Sequence, residues 1–458
     1  MRLYMIQSSE KCYPGKIEKE ISFVEDDGTE NEVINLYPSI TYQTFEGFGG
    51  AITDSSGYVF SKMSDEQKNE LLQMYFGEDG LGYNRVRLHM DSCDFSTELY
   101  SAVEDEEDIN LETFNFSYTE RYMIPMLEAA SKVAKTKLKV MLSVWSPPAF
   151  MKTNGSRIGG GSLKEEYYSR WAKYLCRYIE EFQNRGYEVE RISIQNEPKA
   201  VQTWDSCVYT AEQEKRFLKD YLYPEMQKSG LEKVEIFGWD HNKERLFERA
   251  EALIDTETDS MITGFAFHWY SGDHFAALDL VHQKYSDKKL ILSESCLEFS
   301  KYDKKLESEN VARLAHDMIG NLNHGMQAFY DWNLLLDQNG GPNHQNNYCD
   351  APWMYHEEKG YLEERKILRY YWHVAHFIKP KAVRIAHTKY TDLLDVTAWR
   401  NSKDEIVCIC MNRSNQQLPA VIRIEGVMCR LEIEAGAIAS CVIQLGGSYD
   451  SKSNSSRI

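Results

Sequence analysis

Between Phe45 and Phe377 the chain alternates short apolar runs with amphipathic stretches, strand then helix, and repeats the unit about eight times. The apolar runs are Phe45 to Thr53, Tyr83 to Met90, Lys137 to Trp145, Arg191 to Asn196, Val234 to His241, Ile262 to Tyr270, Leu290 to Cys296 and Ala328 to Leu334. Helical periodicity follows them, for example over 119–134, 164–184, 211–228, 310–323 and 364–377, and Ser64 with Gln67 reads as a capping box. That count is the one a (β/α)8 barrel needs. A doubly wound open sheet would need a Gly-rich phosphate turn after its first strand, and FGGA lacks the G-x-G-x-x-G spacing. Both ends of the chain are instead strand-rich: EISFVEDD and EVINLYPSI at the start, and LLDVTAWR, EIVCICMN, AVIRIEG and IASCVIQL near the end. The expected fold is therefore an α/β TIM barrel over 43–380 with a β-sandwich built from both termini, 1–42 and 381–446. A polar Gly/Ser-rich tail, 447–458, reads as disordered.

Composition narrows the partners. A net charge of -19 repels nucleic-acid backbones and anionic membranes, so neither is expected as a partner. No run is apolar enough to span a bilayer and the first residues lack a signal-peptide core, which predicts a cytoplasmic protein without membrane insertion. The 10 cysteines follow no repeating spacing and read as reduced core thiols. The sequence sets no oligomeric state.

In a parallel barrel the C-terminal strand ends open into one funnel, so polar residues there converge even when distant in sequence. Those ends carry Arg87, His89, Asp91 and Asp94; Trp145; Asn196 and Glu197; His268, Trp269 and Tyr270; Glu294; and Asp331, Trp332 and Asn333. Pro198 disfavours the helical region for Glu197, which predicts an extended carboxylate at the strand tip. Two carboxylates ringed by aromatics and amides are what glycoside hydrolysis requires: acids flanking the scissile bond, platforms for the ring and partners for its hydroxyls. A metal-dependent barrel hydrolase using His89, Asp91, Asp94, His268 and Glu294 is a second reading, although no H-x-H or H-E-x-x-H spacing is present. A non-catalytic sugar-binding barrel is a third.

In chain order, FGGAITD, LHMDSCDFS, SVWSPPAFMKTNG, QNEP, FHWY, SESC and DWNLLLDQNGGPNH resemble the motifs of glycoside hydrolase family 30, the glucosylceramidase-like retaining enzymes. The resemblance runs from Phe45 to Asn343 and extends to the sandwich. It implies Glu197 as general acid/base and Glu294 as nucleophile, with neither cofactor nor metal. It further implies Asn196 on the sugar 2-hydroxyl, Asp94, Trp145, Trp332 and Asn343 around the ring, and Tyr270 and Arg87 orienting the nucleophile. An ion pair of Arg87 with Asp91 or Asp94 is the other reading of that residue, and His268 is read as packing support. The charge of Glu294 is expected to raise the Glu197 pKa. The implied substrate is a β-glycoside with a glucose-like non-reducing sugar; a β-1,6-glucan, β-xyloside or β-fucoside is the alternative. His344 stands where lysosomal members carry Trp, which disfavours a lipid aglycone and favours a soluble glucoside or short glucan.

Overall fold

The computed structural model describes residues 1–12, 15–401 and 405–445, so the tail read as disordered lies outside the described residues. Eight parallel strands close a barrel: Gly47–Ala51, Arg85–Met90, Lys139–Val144, Glu188–Ser193, Glu235–Asn242, Gly264–His268, Lys289–Glu294 and Met326–Asp331. The last strand pairs with the first, Ala328 opposite Gly47. The capping box is present: the Ser64 side chain accepts from the Gln67 backbone while the Gln67 side chain accepts from the Ser64 backbone.

The interior of the barrel is layered. At its N-terminal end Arg191, fully buried, pairs with Glu46 (2.6 Å), Glu190 (2.7 Å) and Glu235 (3.1 Å), while Arg85 and Lys289 also reach Glu46. Gly49 makes this possible, since a Cβ there would lie 2.5 Å from Arg85 Cγ and 2.3 Å from its carbonyl oxygen. Above this plug comes an apolar belt of Met141, Phe237, Ala266, Ile291, Ala328 and Tyr330. Above the belt, at the C-terminal mouth, the interior turns polar again.

Ten strands form the second sheet, whose inner faces enclose one core that includes Leu3, Ile34, Val396, Cys408, Ile422 and Cys441. The N-terminal strand Arg2–Ser8 lies antiparallel to Ile438–Gln444, and Val33–Thr44 pairs with both Val383–Thr388 and Leu418–Ile424. The two chain ends thus complete one sheet. His373 ties it to the last barrel helix, with its ring nitrogens 2.8 Å from Ser440 Oγ and 2.9 Å from Ser8 Oγ. Every cysteine is free and all but Cys12 are buried.

Local departures from the sequence reading have local causes. The helix expected over 211–228 is broken by a wider π turn, Leu218–Leu222, just ahead of Pro224, which has no N–H for the carbonyl four residues earlier. Glu364 ends a short strand, Tyr361–Glu364, and the helix runs Lys366–Ala375. That strand belongs to a small sheet with Leu336–Asp337 and Trp353–His356, inserted after the eighth barrel strand and too short to leave a periodic signal.

Glu46 is the hub of the lower plug: burial pushes its carboxyl up, but Arg191, Arg85 and Lys289 hold it down at about 2. Its folded pKa is depressed, so its stabilisation is present above the unfolded value of about 4.5 and is lost as pH falls towards 2. Glu46→Ala should cost about 3–5 kcal/mol in urea unfolding, as for a broken buried ion pair. It should also remove part of the loss of stability between those pH values; an unchanged unfolding midpoint would refute the role.

Candidate active site

The mouth of the barrel is built from residues in strained backbone. Asp91 (φ 57°), Glu197 (φ 47°) and Asn333 (φ 64°) sit just beyond strand ends in the left-handed region, and Trp239 (φ 72°) and Asp240 (φ 49°) share it at a bulge within Glu235–Asn242. The extended conformation expected for Glu197 is thus corrected: excluded from the right-handed helical region by Pro198, it turns left-handed and not extended. Its N–H donates to Asp240 O at 2.9 Å, and that of Asn196 to Val144 O at 2.8 Å, so the turn is held from neighbouring strands. Such strain persists only where the surroundings enforce it.

Arg87, wholly buried, organises the acids. It donates through Nη1 to Glu294 Oε2 (2.7 Å), through Nη2 to Asn196 Oδ1 (2.8 Å) and Asp240 Oδ2 (3.0 Å), and through Nε to Ser143 Oγ (3.1 Å). Its partners are therefore Glu294 and Asp240; the ion pair with Asp91 or Asp94 is not formed. Asp91 instead accepts from the hydroxyls of Tyr174 and Tyr178 and pairs with Arg157, turned away from the funnel. Tyr270 donates to Glu294 Oε1 at 2.9 Å.

His268 is more than packing. Its Nδ1 lies 3.1 Å from Glu197 Oε1 and 4.0 Å from Glu294 Oε1, and its Nε2 lies 3.1 Å from Asp240 Oδ1. Burial opposes charge on this ring, but Glu294, Asp240 and Glu197 together raise it to about 9, so both nitrogens donate. The expected pKa order of the two glutamates is reversed in consequence. Burial pushes Glu197 up, yet His241 and His268 bring it down to about 2. Burial also pushes Glu294 up, and there it wins over His268 and Arg87, helped by the charge of Glu197. The proton of this cluster therefore rests on His268, between the carboxylates.

A cavity of about 490 Å³ opens above the cluster, within the range of small-molecule sites. Asp94, Trp145, Asn196, Glu197, Tyr270, Glu294 and Trp332 all line it. Trp145 and Trp332 stack at 5.2 Å with Arg87 over both rings. Burial, then the charge of Glu294, pushes the Asp94 carboxyl well above its usual range. Asn343 does not line the cavity. Its side chain accepts from the N–H groups of Gln345 (2.8 Å) and Asn347 (3.2 Å), and this turn presents Asn347, whose Nδ2 donates to Asp94 Oδ2 at 3.1 Å. His344 anchors the same turn, 3.3 Å from Asp205 and 3.2 Å from the Ser96 carbonyl. Further out the walls carry Gln202, Trp204, Asn242, Glu298, Ser300 and Lys301, with Lys301 paired to Glu298 at 2.9 Å.

The five ligands of the metal-hydrolase reading do not converge. His89 takes the Asp54 N–H on Nε2 (2.9 Å) and meets the Asp91 carbonyl with Nδ1 (2.5 Å), outside the cavity. Sequence reasoning missed Asp240 and His241, at the end of the fifth strand. The criterion that selects Glu197 and Glu294, an acid closing an apolar run, applies equally to Asp240 in Val234 to His241, and would have found it.

Two family models, described as the glycosyl hydrolase family 30 TIM-barrel domain and its beta sandwich domain, match residues 45–379 and 381–441. Putative glucosylceramidase 4 of Caenorhabditis elegans is 30% identical over 75% of this chain and 69% of its own length. Lysosomal acid glucosylceramidase of Mus musculus is 28% identical over 85% and 79%. The crystal structure of SrfJ from Salmonella typhimurium superposes with a TM-score of 0.93 at 35% identity, covering 97% of this chain and 100% of that one. With a family match over most of its length and the family's barrel and sandwich in its structure, the chain belongs to glycosyl hydrolase family 30.

Proposed function

We propose that this glycoside hydrolase cleaves β-glycosides by double displacement, with Glu294 as nucleophile and Glu197 as acid/base. The observation that carries the assignment is that one nitrogen of His268 lies within 4.0 Å of both carboxylates at the floor of one cavity. Such proximity is compatible with the roughly 5–5.5 Å separation of retaining pairs. Glu294, held by Arg87 and Tyr270 on opposite oxygens, attacks the anomeric carbon. Glu197 protonates the leaving oxygen with the proton it shares with His268, whose Nδ1 lies 3.1 Å from Glu197 Oε1, then takes a proton from the water that opens the ester. Asn196, oriented by Arg87, serves the 2-hydroxyl, while Asp94, Trp145 and Trp332 hold the ring.

The substrate reading follows from the walls. Two stacked indoles beside the Asp94 carboxyl suit a glucose-like ring, and Asn347, not Asn343, stands in the wall beside it. Apart from Trp204, the outer wall of amides, hydroxyl and the Glu298–Lys301 pair would desolvate badly against a lipid chain. A hydrophilic aglycone, a soluble glucoside or a short glucan, fits it better.

Glu197→Gln should lower kcat/KM by about 10²–10⁴-fold on substrates with poor leaving groups and much less on activated aryl glucosides, whose departure needs no proton, although kcat on the latter should still fall because opening of the ester loses its base. Glu294→Gln should abolish turnover of both, with circular dichroism unchanged; near-normal rates in either variant on alkyl glucosides would sink the assignment. The pH profile of kcat/KM is also set. Glu294 must be ionised, and its pKa is raised, so the acid limb should lie above the ordinary glutamate value. The proton held by His268 is present below about 9 and lost above it, so activity should fall as pH rises through that value. In NMR both ring nitrogens of His268 should carry protons at neutral pH; a ring that titrates below 7 would contradict this proton placement.

A further inference from the structure

The acid side of the cavity holds a second constellation. His241 Nδ1 is buried, makes no hydrogen bond, and lies 3.5 Å from Glu197 Oε1, to which His268 Nδ1 is also bonded at 3.1 Å. The ligand atoms of Glu197, His241 and His268 all fall within 4.8 Å of one another. A tetrahedral zinc with nitrogen and oxygen ligands at about 2.0–2.1 Å spaces them by about 3.3 Å, so the three groups could close on one ion with small side-chain shifts. The outer shell also fits: His268 turns its other nitrogen to Asp240 Oδ1 at 3.1 Å, the carboxylate–histidine arrangement that fixes a metal-bound imidazole. Asp240 is in turn held by Ser293 Oγ at 2.5 Å and by Arg87. Two of the three groups, Glu197 and His241, line the open cavity, from which an ion and its water can enter.

We propose that Glu197, His241 and His268 form a binding site for one divalent transition-metal ion, and that its occupation switches hydrolysis off. With its carboxylate ligating the ion between the two imidazoles, Glu197 cannot deliver a proton while the metal is bound. Two imidazoles and one carboxylate select zinc, copper, nickel or cobalt over magnesium and calcium, which prefer all-oxygen shells. Binding itself is independent of the catalytic assignment; the inhibitory half rests on the reading of Glu197 as the acid.

The test is a calorimetric titration of the whole chelator-treated protein with zinc chloride, run beside hydrolysis of an alkyl β-glucoside, whose leaving group needs the proton from Glu197. One zinc per chain should bind, activity should disappear over the same concentration range, excess chelator should restore it, and magnesium chloride should do neither. Loss of outer-shell partners alone costs about 10–100-fold in metal affinity, so His241→Gln and Glu197→Gln should each weaken zinc binding at least that much. Cobalt(II) should give the visible absorption of a tetrahedral ion in the parent and not in these variants. Absence of stoichiometric binding, or unchanged affinity in both variants, would overturn the site; the latter would move the metal to other donors such as the thiols of Cys296 and Cys349. Should His241→Gln fail to fold, Glu197→Gln decides alone. Should the protein hydrolyse no glycoside, calorimetry and the cobalt spectrum still report the site, so that failure is separable from this one.

Discussion

One buried guanidinium sets the geometry of the mouth. Arg87 enters from the second strand and bonds to groups from the third, fourth, fifth and seventh: Ser143, Asn196, Asp240 and Glu294. A buried cation without such partners would be strongly destabilising, so the four strand ends are held to the positions that satisfy it. The electrostatic sum also matters. Arg87 and protonated His268 face Glu197, Asp240 and Glu294. Two cations against three carboxylates leave the floor of the cavity with a net negative charge, which suits the positive character an anomeric carbon develops in the transition state.

The two polar layers of the barrel are alike in composition and unlike in consequence. The lower plug of Arg85, Arg191 and Lys289 against Glu46, Glu190 and Glu235 closes the barrel, and the apolar belt above it shuts it off from the mouth. The upper layer is open on one side, and its residues sit in backbone that unaided chains avoid. At Glu197 the strained turn aims a carboxylate into the cavity, and backbone hydrogen bonds from the neighbouring strands hold it in place.

Much of this was legible before the coordinates, for identifiable reasons. The strand and helix periods, the Ser64 capping box and the convergence of Glu197 with Glu294 depend on local pattern and barrel topology, both of which a sequence carries. Residues whose role depends on the direction of a side chain were not legible. Asn343 and Asn347 lie in one turn, and only the folding of that turn decides which of them faces the cavity. Asp91 and Asp94 are three residues apart, yet one is buried under Tyr174 and Tyr178 and the other lines the site. Left-handed Glu197 was misread because the proline rule excludes one region without choosing among the rest.

The reversed pKa order looks at first like an objection to Glu197 as the acid, since a group held at about 2 surrenders its proton readily. The objection dissolves when the proton is counted over the cluster and not on one residue. In the free enzyme one proton sits on His268, and the strongest charge sustaining it there is that of Glu294. On the assignment proposed above, attack by Glu294 consumes that charge in the same step in which Glu197 passes the proton to the leaving group, drawing on His268. The intermediate then has a neutral ester, an ionised Glu197 and a His268 that no longer has its main reason to be charged. That state favours removal of a proton from water. Hydrolysis of the ester restores both the Glu294 charge and the proton, so the nucleophile's own ionisation holds the acid's proton in the site when it is needed and releases it when it is not.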